Sequence, residues 1–262
     1  MNETQKLLSS ITPAPATQEE LRLILSLTDL TSLDGSDNEK TIAALCENAK
    51  KFRTAAVCIY PSFVRVAKTQ LKVTNISVAS VAGAFPSGQL PLPLRLEEAK
   101  YAISEGADEV DMVISRGKFL AGDLKFISEE ISEFRRICGK KILKVILETG
   151  ELASAENIRR ASEMAIEAGA DFIKTSTGKI AAGATPEAVC TMLLAIKDSG
   201  KKIGIKPSGG ISDVNAAVTY LRLTEKILGK AWLNPQQFRF GASRLASVIY
   251  SQLQGENSAP NR

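Results

Sequence analysis

The feature that most constrains this chain is a two-part pattern repeated eight times. A short run rich in Val and Ile is followed each time by a longer segment with helical periodicity. The runs read as strands at 25–31, 54–60, 76–82, 109–115, 142–148, 172–177, 202–206 and 238–242. Between them, apolar residues recur on one helical face. Val189, Met192, Leu193 and Ile196 follow the i, i+3, i+4, i+7 spacing within 185–199, as do Val214, Ala217, Val218 and Leu221 within 213–229. Start signals accompany them. Thr185-Pro186-Glu187 offers an N-cap, a proline at the first helical position and an early acid. Thr17 with Glu20, and Ser36 with Glu39, have capping-box spacing. Gly106, Gly139, Gly169, Gly200 and Gly229 fall where helices should stop.

Near-continuous apolar strands alternating with helices form a parallel sheet covered on both faces. Eight such units within 262 residues fit a closed (β/α)8 barrel of the TIM type better than an open sheet. The reading is therefore an α/β protein of one domain spanning 1–262. An extra N-terminal helix near 17–26 precedes the first strand, and 1–12 and 256–262 read as loose tails.

Composition narrows the chemistry. There is no histidine, which removes Ser-His-Asp and Cys-His nucleophile pairs, HExxH zinc sites and Cys2His2 fingers. Acid–base work near neutral pH then falls to lysine, carboxylate, cysteine, tyrosine or water. Cys46, Cys58, Cys138 and Cys190 show no CxxC spacing and no disulfide framework, which fits a reducing cytoplasm. The N-terminal MNETQKLLSS does not read as a signal peptide. The uncharged stretch 73–94 contains Pro86, Pro91 and Pro93 and does not read as a membrane span. With 33 basic and 29 acidic residues, the charge is too even for a nucleic-acid binder, though a local anion site is compatible with it.

Three successive strand runs nevertheless carry lysine, a residue almost never fully buried without a partner: Lys144 in ILKVILET, Lys174 in FIKTST and Lys206 in IGIKPSGG. Side chains alternate along a strand, so Lys174 shares a face with Phe172 and Ser176, Lys206 with Gly204, and Lys144 with Ile146 and Glu148. In a barrel these can all be inward faces, with ammonium groups crowded in a low-dielectric interior. Asp111, which alternates with Glu109 and Val113, and Asp29 in LTDLT supply counter-charge. A structural ion-pair network is one reading of such a set. The other is chemical: burial and like charge press a lysine towards its neutral form, and a neutral amine attacks carbonyls to give Schiff bases.

Phosphate signals lie beside the lysines. The run after Lys174 continues through Thr177, Gly178 and Lys179; the next ends in Pro207-Ser208-Gly209-Gly210; the last ends in Gly241-Ala242-Ser243-Arg244. Barrels often bind phosphate at the loops after their seventh and eighth strands, next to a helix N-terminus. GIKPSGG is not a P-loop, because Ile211 stands where Lys is required. Cys58 reads as a small buried apolar residue or a pocket wall, and Trp232 and Phe238 read as packing.

The segments DFIKTSTGK (171–179), IGIKPSGG (203–210), GADEVDMV (106–113), LKVILETG (143–150), AAVCIYP (55–61) and FRFGAS (238–243) together resemble the deoxyribose-phosphate aldolase family. The resemblance runs from about residue 27 to residue 243. It implies a class I aldolase that works without metal or cofactor, cleaving 2-deoxy-D-ribose 5-phosphate into D-glyceraldehyde 3-phosphate and acetaldehyde. It assigns the Schiff base to Lys174, the tuning of that amine and assistance with proton transfer to Lys206, and a water-mediated proton relay to Asp111. Asp29, Cys58, Lys144 and Thr177 line the pocket in this reading, and Gly178, Lys179, Gly209, Gly210 and Ser243 hold phosphate. It also implies a homodimer acting on a phosphosugar and acetaldehyde, with no nucleic acid or membrane partner. Two departures stand out: Arg244, where some members have a small residue, and a tail, GENSAPNR, without the tyrosine that ends some members. The competing readings are a Schiff-base barrel aldolase for another phosphosugar, and an inactive barrel that binds sugar phosphates.

Overall fold

The structure, a computed structural model, describes residues 3–255. Its eight strands are β1 (Thr28–Thr31), β2 (Ala56–Ile59), β3 (Ser77–Ala82), β4 (Glu109–Val113), β5 (Ile142–Ile146), β6 (Phe172–Lys174), β7 (Gly204–Lys206) and β8 (Phe240–Ala242). Two helices, α1 (Glu3–Ser9) and α2 (Gln18–Ser26), precede β1. Then follow α3 (Glu39–Phe52), α4 (Val64–Gln70), α5 (Leu92–Ser104), α6 (Arg116–Leu120), α7 (Leu124–Cys138), α8 (Thr149–Leu152), α9 (Ala155–Glu167), α10 (Pro186–Ser199), α11 (Val214–Leu228) and α12 (Leu245–Leu253).

Neighbouring strands pair in parallel in the order β7-β6-β5-β4-β3-β2-β1-β8. The cylinder closes between β7 and β8 through bridges Ile205–Phe238 and Ser208–Gly241. Backbone hydrogen bonds from Arg239 N to Ile205 O (3.0 Å) and from Gly241 N to Pro207 O (2.9 Å) complete the seam. This is the (β/α)8 barrel expected from the sequence. All eight strands fall inside the expected runs but are shorter. The first run loses its start because 25–27 completes α2 and its cap. Runs 142–148 and 172–177 lose their ends because Glu148, Thr175, Ser176 and Thr177 have already left the ladder.

Strand alternation produces two chemically different faces. Outward side chains such as Val57, Val110, Val145, Ile173, Ile205 and Phe240 are buried beneath the helices in one apolar layer. Each such burial contributes about 1.5–3 kcal/mol relative to exposure. The inner face is instead split. Around β2 and β3 it is apolar, with Cys58, Ala79 and Val81 packed with Leu33 against Tyr60 and Phe85. Around β4 to β8 and β1 it carries charge. Gly204 makes room for the inward ring of Phe172, since a Cβ there would lie 2.4 Å from that ring.

Two expectations about the helices need correction. Residues 1–12 are not a loose tail throughout: α1 packs on α10, Leu7, Leu8 and Ile11 pack against the core, and the guanidinium of Arg222 donates to the carbonyls of Thr12 and Ala14. Residues 1–2 and the proposed tail 256–262 lie outside the described residues. The cap of α3 is Asn38, not Ser36, and its capping-box partner is Thr41. Thr17 and Thr185 cap α2 and α10 as expected. Among the described residues, no helix is long and apolar enough to cross a membrane.

Candidate active site

The register places the strand lysines side by side. Asp111 pairs with Lys144 across β4 and β5, and Lys174 with Lys206 across β6 and β7. Asp111 sits at the centre of the charges. Its Oδ2 accepts from Lys174 at 2.8 Å and from Lys206 at 2.7 Å, and its Oδ1 accepts from Lys144 at 2.8 Å. Lys206 also donates to Asp29 Oδ2 at 2.5 Å, while Lys144 also donates to Glu109. Arg239 completes the set, donating to Asp29 Oδ1 at 2.6 Å and to Glu109 Oε1 at 2.9 Å. All seven groups are buried. Among the described residues, no group of three or more Cys, Asp or Glu side chains is placed to hold a metal ion.

The sequence raised the prospect of lysines driven towards neutrality by crowding. For two of them the acids reverse that outcome. Burial disfavours the charged form of Lys206, but Asp111 and Asp29 outweigh it and raise its pKa. Lys144 is raised in the same way, against burial, by Asp111, Glu109 and Asp29. Burial likewise pushes the Asp111 carboxyl up, yet Lys144, Lys174 and Lys206 hold it well below the usual carboxylate range. Asp29 is also lowered, as Lys206 and Arg239 overcome its burial. Lys206 and Lys144 are therefore fixed ammonium groups, and Asp29 and Asp111 fixed carboxylates.

Above this cluster lies a cleft of about 330 Å³. Of the three strand lysines, only Lys174 borders it. Thr177, Gly178, Lys179, Gly209, Gly210 and Ser243 border it too, so all the residues expected to hold phosphate meet in one place, joined by Arg244. Gly178, Gly209 and Gly210 all have φ between 70° and 85°, at 76°, 82° and 72°, where side chains are strained. The loops after β6 and β7 touch closely enough that a Cβ on Gly209 would meet Gly183 Cα at 3.1 Å.

The remaining expected residues lie deeper. Asp29, Lys144, Lys206 and Asp111 lie beneath the cleft and reach Lys174 through the charge cluster. Cys58 is buried with its thiol 3.8 Å from Asp111 Oδ2, and burial raises its pKa, so it sits as a protonated wall residue. The hydroxyl of Thr177 donates to Glu148 at 2.5 Å, and its backbone N–H donates to the same carboxylate at 3.1 Å. Lys179 N in turn donates to Thr177 Oγ1 at 3.1 Å.

Sequence reasoning missed four participants. Arg239 was legible in FRF: two aromatic residues on one face of a strand place the residue between them on the other. Arg116, at the start of α6, and Asp34, in the loop after β1, carry no such signal, and Glu148, placed by alternation on the face of Lys144, lies past the end of β5. Glu148 holds Thr177 from a left-handed backbone (φ 58°), and Arg116 donates to it at 3.1 Å while also reaching Pro86 O at 3.0 Å. Asp34 accepts from Lys179 Nζ at 3.3 Å.

Comparison with known proteins bears on what this geometry is for. A profile of the DeoC/LacD family of aldolases matches residues 23–223. The chain belongs to the DeoC/LacD aldolase family. This aldolase, a carbon–carbon lyase, is 48% identical to the deoxyribose-phosphate aldolase of Agrobacterium fabrum (strain C58), covering 92% of this chain and 95% of that one. It is 44% identical to the human deoxyribose-phosphate aldolase, covering 86% of this chain and 78% of the relative. Among solved structures it is similar to the tetrameric deoxyribose phosphate aldolase of Aeropyrum pernix, with a TM-score of 0.74 and 25% identity over 91% of this chain and 98% of that one. The profile match ends within α11, so Arg239, Ser243 and Arg244 of the aldolase lie beyond it.

Proposed function

We propose that this aldolase reversibly cleaves 2-deoxy-D-ribose 5-phosphate to D-glyceraldehyde 3-phosphate and acetaldehyde through a Schiff base on Lys174. The observation that carries the reading is the position of Lys174: it is the one strand lysine at the cleft, on the same Asp111 oxygen as Lys206. Four cationic side chains (Lys144, Lys174, Lys206, Arg239) face three carboxylates (Asp29, Glu109, Asp111) in this cluster. Among the described residues, Lys174 has Asp111 alone as a charge partner and shares it. Without its charge, three cations still face three carboxylates.

In the cleavage direction the Lys174 amine adds to C1 of the open-chain sugar, and loss of water from the carbinolamine gives a protonated imine. A proton leaves the C3 hydroxyl, the C2–C3 bond breaks, and its electron pair passes to the iminium nitrogen. The products of that step are D-glyceraldehyde 3-phosphate and an enamine. Protonation at C2 and addition of water then release acetaldehyde and the amine. Asp111, held ionised, orients the proton-carrying water, and Lys206 contributes fixed positive charge beside the reacting nitrogen. Lys144 and Asp29 hold these two groups in place. Lys179, the glycine turns and Ser243 bind the phosphate end.

The residues of 1–262 act as one catalytic domain in this reading. The four cysteines are buried and unpaired, which supports a cytoplasmic enzyme. A homodimer is the assembly implied by the sequence resemblance. The deciding experiment is borohydride trapping with acetaldehyde, followed by peptide mapping. A reduced adduct on Lys174 supports the assignment, and recovery of unmodified Lys174 under conditions of turnover rejects it.

A further inference from the structure

The mouth of the cleft holds a charge arrangement that the carbon–carbon chemistry does not require. Lys179 and Asp34 pair across it at 3.3 Å. Asp34 belongs to the loop between β1 and α3, yet its carboxylate does not build that loop. Asp37 does, accepting from Ser32 Oγ at 2.8 Å and from the Asp34 backbone N–H at 3.0 Å. The Asp34 side chain is 73% exposed, and Lys179 is its one polar partner among the described residues. Arg244 borders the same cleft, just after Ser243, with no hydrogen bond or ion pair for its guanidinium among the described residues. Lys179 is thus occupied by a protein carboxylate, and Arg244 is uncommitted.

We propose that Asp34 is a competing counter-ion that weakens phosphate binding, and that Arg244 is a second cationic ligand for the phosphate. The proposal rests on reading the cleft as a phosphosugar site. A dianionic phosphate and Asp34 cannot both hold Lys179 without like charges meeting at close range, so binding exchanges one partner for the other. Arg244 offers a planar fork that matches phosphate oxygens. The substrate and one of its two products carry the same phosphate. A built-in competitor therefore speeds departure of the product at the cost of affinity for the substrate.

The test uses the full chain, with inorganic phosphate as the binding probe and deoxyribose with and without its 5-phosphate as substrates. Asp34→Asn should tighten inorganic phosphate binding by calorimetry about fivefold at low salt, the upper end for an exposed pair. It should raise the phosphorylated-to-unphosphorylated ratio of kcat/KM by a similar factor, and both gains should shrink at high salt. In a Lys179→Ala background the Asn substitution should lose most of its effect. Arg244→Ala should weaken phosphate binding about tenfold, in line with loss of a charge-assisted hydrogen bond. The proposal is overturned if Asp34→Asn leaves phosphate affinity unchanged or weaker, if its effect survives intact without Lys179, or if Arg244→Ala leaves phosphate binding unaltered. A wild-type enzyme that binds phosphate with these responses but cleaves neither sugar would reject the reaction assigned above and leave this inference standing.

Discussion

Lys174 and Lys206 donate to the same carboxylate oxygen, Asp111 Oδ2, from paired positions on adjacent strands. The two lysines are nevertheless not equivalent. Lys206 is locked between two carboxylates, whereas Lys174 shares its one acid and meets the cleft. Replacing each by an uncharged residue should separate them. Lys174→Ala should lower kcat by at least about a thousandfold, since the covalent step is lost, while the thermal midpoint stays within a few degrees. Lys206→Met strands two buried carboxylates with fewer cations and should cost about 3–5 kcal/mol of stability besides a large loss of turnover. Thermal melts and steady-state rates on both variants check this. A Lys174→Ala protein that melts as early as Lys206→Met would contradict the charge accounting.

The same cluster fixes a pH window for stability. Asp29 and Asp111 titrate below their ordinary value near 3.8, because neighbouring cations outweigh burial. Groups shifted down stabilise the fold above their unfolded pKa, and that contribution disappears as the pH falls past it. Lys144 and Lys206 are shifted up from 10.5, so their contribution is complete below that value and drains away above it. The thermal midpoint should therefore be nearly flat from about pH 5 to 9 and fall steeply below about pH 4. Melting curves across that range provide the check, and an unchanged midpoint between pH 5 and pH 3 would rule out this account.

Lys179 stands at the cleft mouth, away from the buried amines, so its removal should be felt at the phosphate and not at the carbonyl. Lys179→Ala should raise KM for the 5-phosphate by roughly tenfold while changing KM for unphosphorylated deoxyribose by less than about twofold. Equal losses on the two sugars would place Lys179 elsewhere in the mechanism.

A second buried ion pair, outside the charge cluster, clamps the ends of β3 and β4. Arg95 donates to Glu130 at 2.6 Å, to Gly83 O at 3.0 Å and to Val113 O at 2.6 Å, with both charged side chains inaccessible to solvent. Arg95→Met leaves Glu130 without its counter-charge and two carbonyls without a donor. The expected loss is about 3–5 kcal/mol, lowering the thermal midpoint by roughly 10 °C. A shift of under 2 °C would show that the pair is dispensable.

Much of this architecture could be read from the chain because barrel strands and their covering helices are local patterns. A buried parallel strand needs an apolar run, and a helix above it needs a periodic face. Lys144, Lys174 and Lys206 were conspicuous because they break those runs. Strand ends were misjudged where residues kept a strand-like composition after leaving the ladder, as Ser176 and Glu148 did. The α1 helix has no local signature, because its packing surface is on α10, far away in sequence. The protonation of the cluster was not legible from any single run either. Crowded lysines suggest neutral amines, and only the three-dimensional placement of Asp29, Glu109 and Asp111 shows which amines are held charged. Asp34 acts from a loop and Arg116 from the first residue of the five-residue α6, where no periodicity marks direction.

The seam between β7 and β8 has the thinnest backbone pairing in the cylinder, and Lys206 and Arg239 stand on its two sides, both grasping Asp29 of the next strand round. The charges assigned to the chemistry thus also lace the circle shut. Loosening them to retune reactivity would slacken the hoop that keeps Lys174 and Asp111 in register, so catalytic redesign of this barrel has to reinforce its closure first.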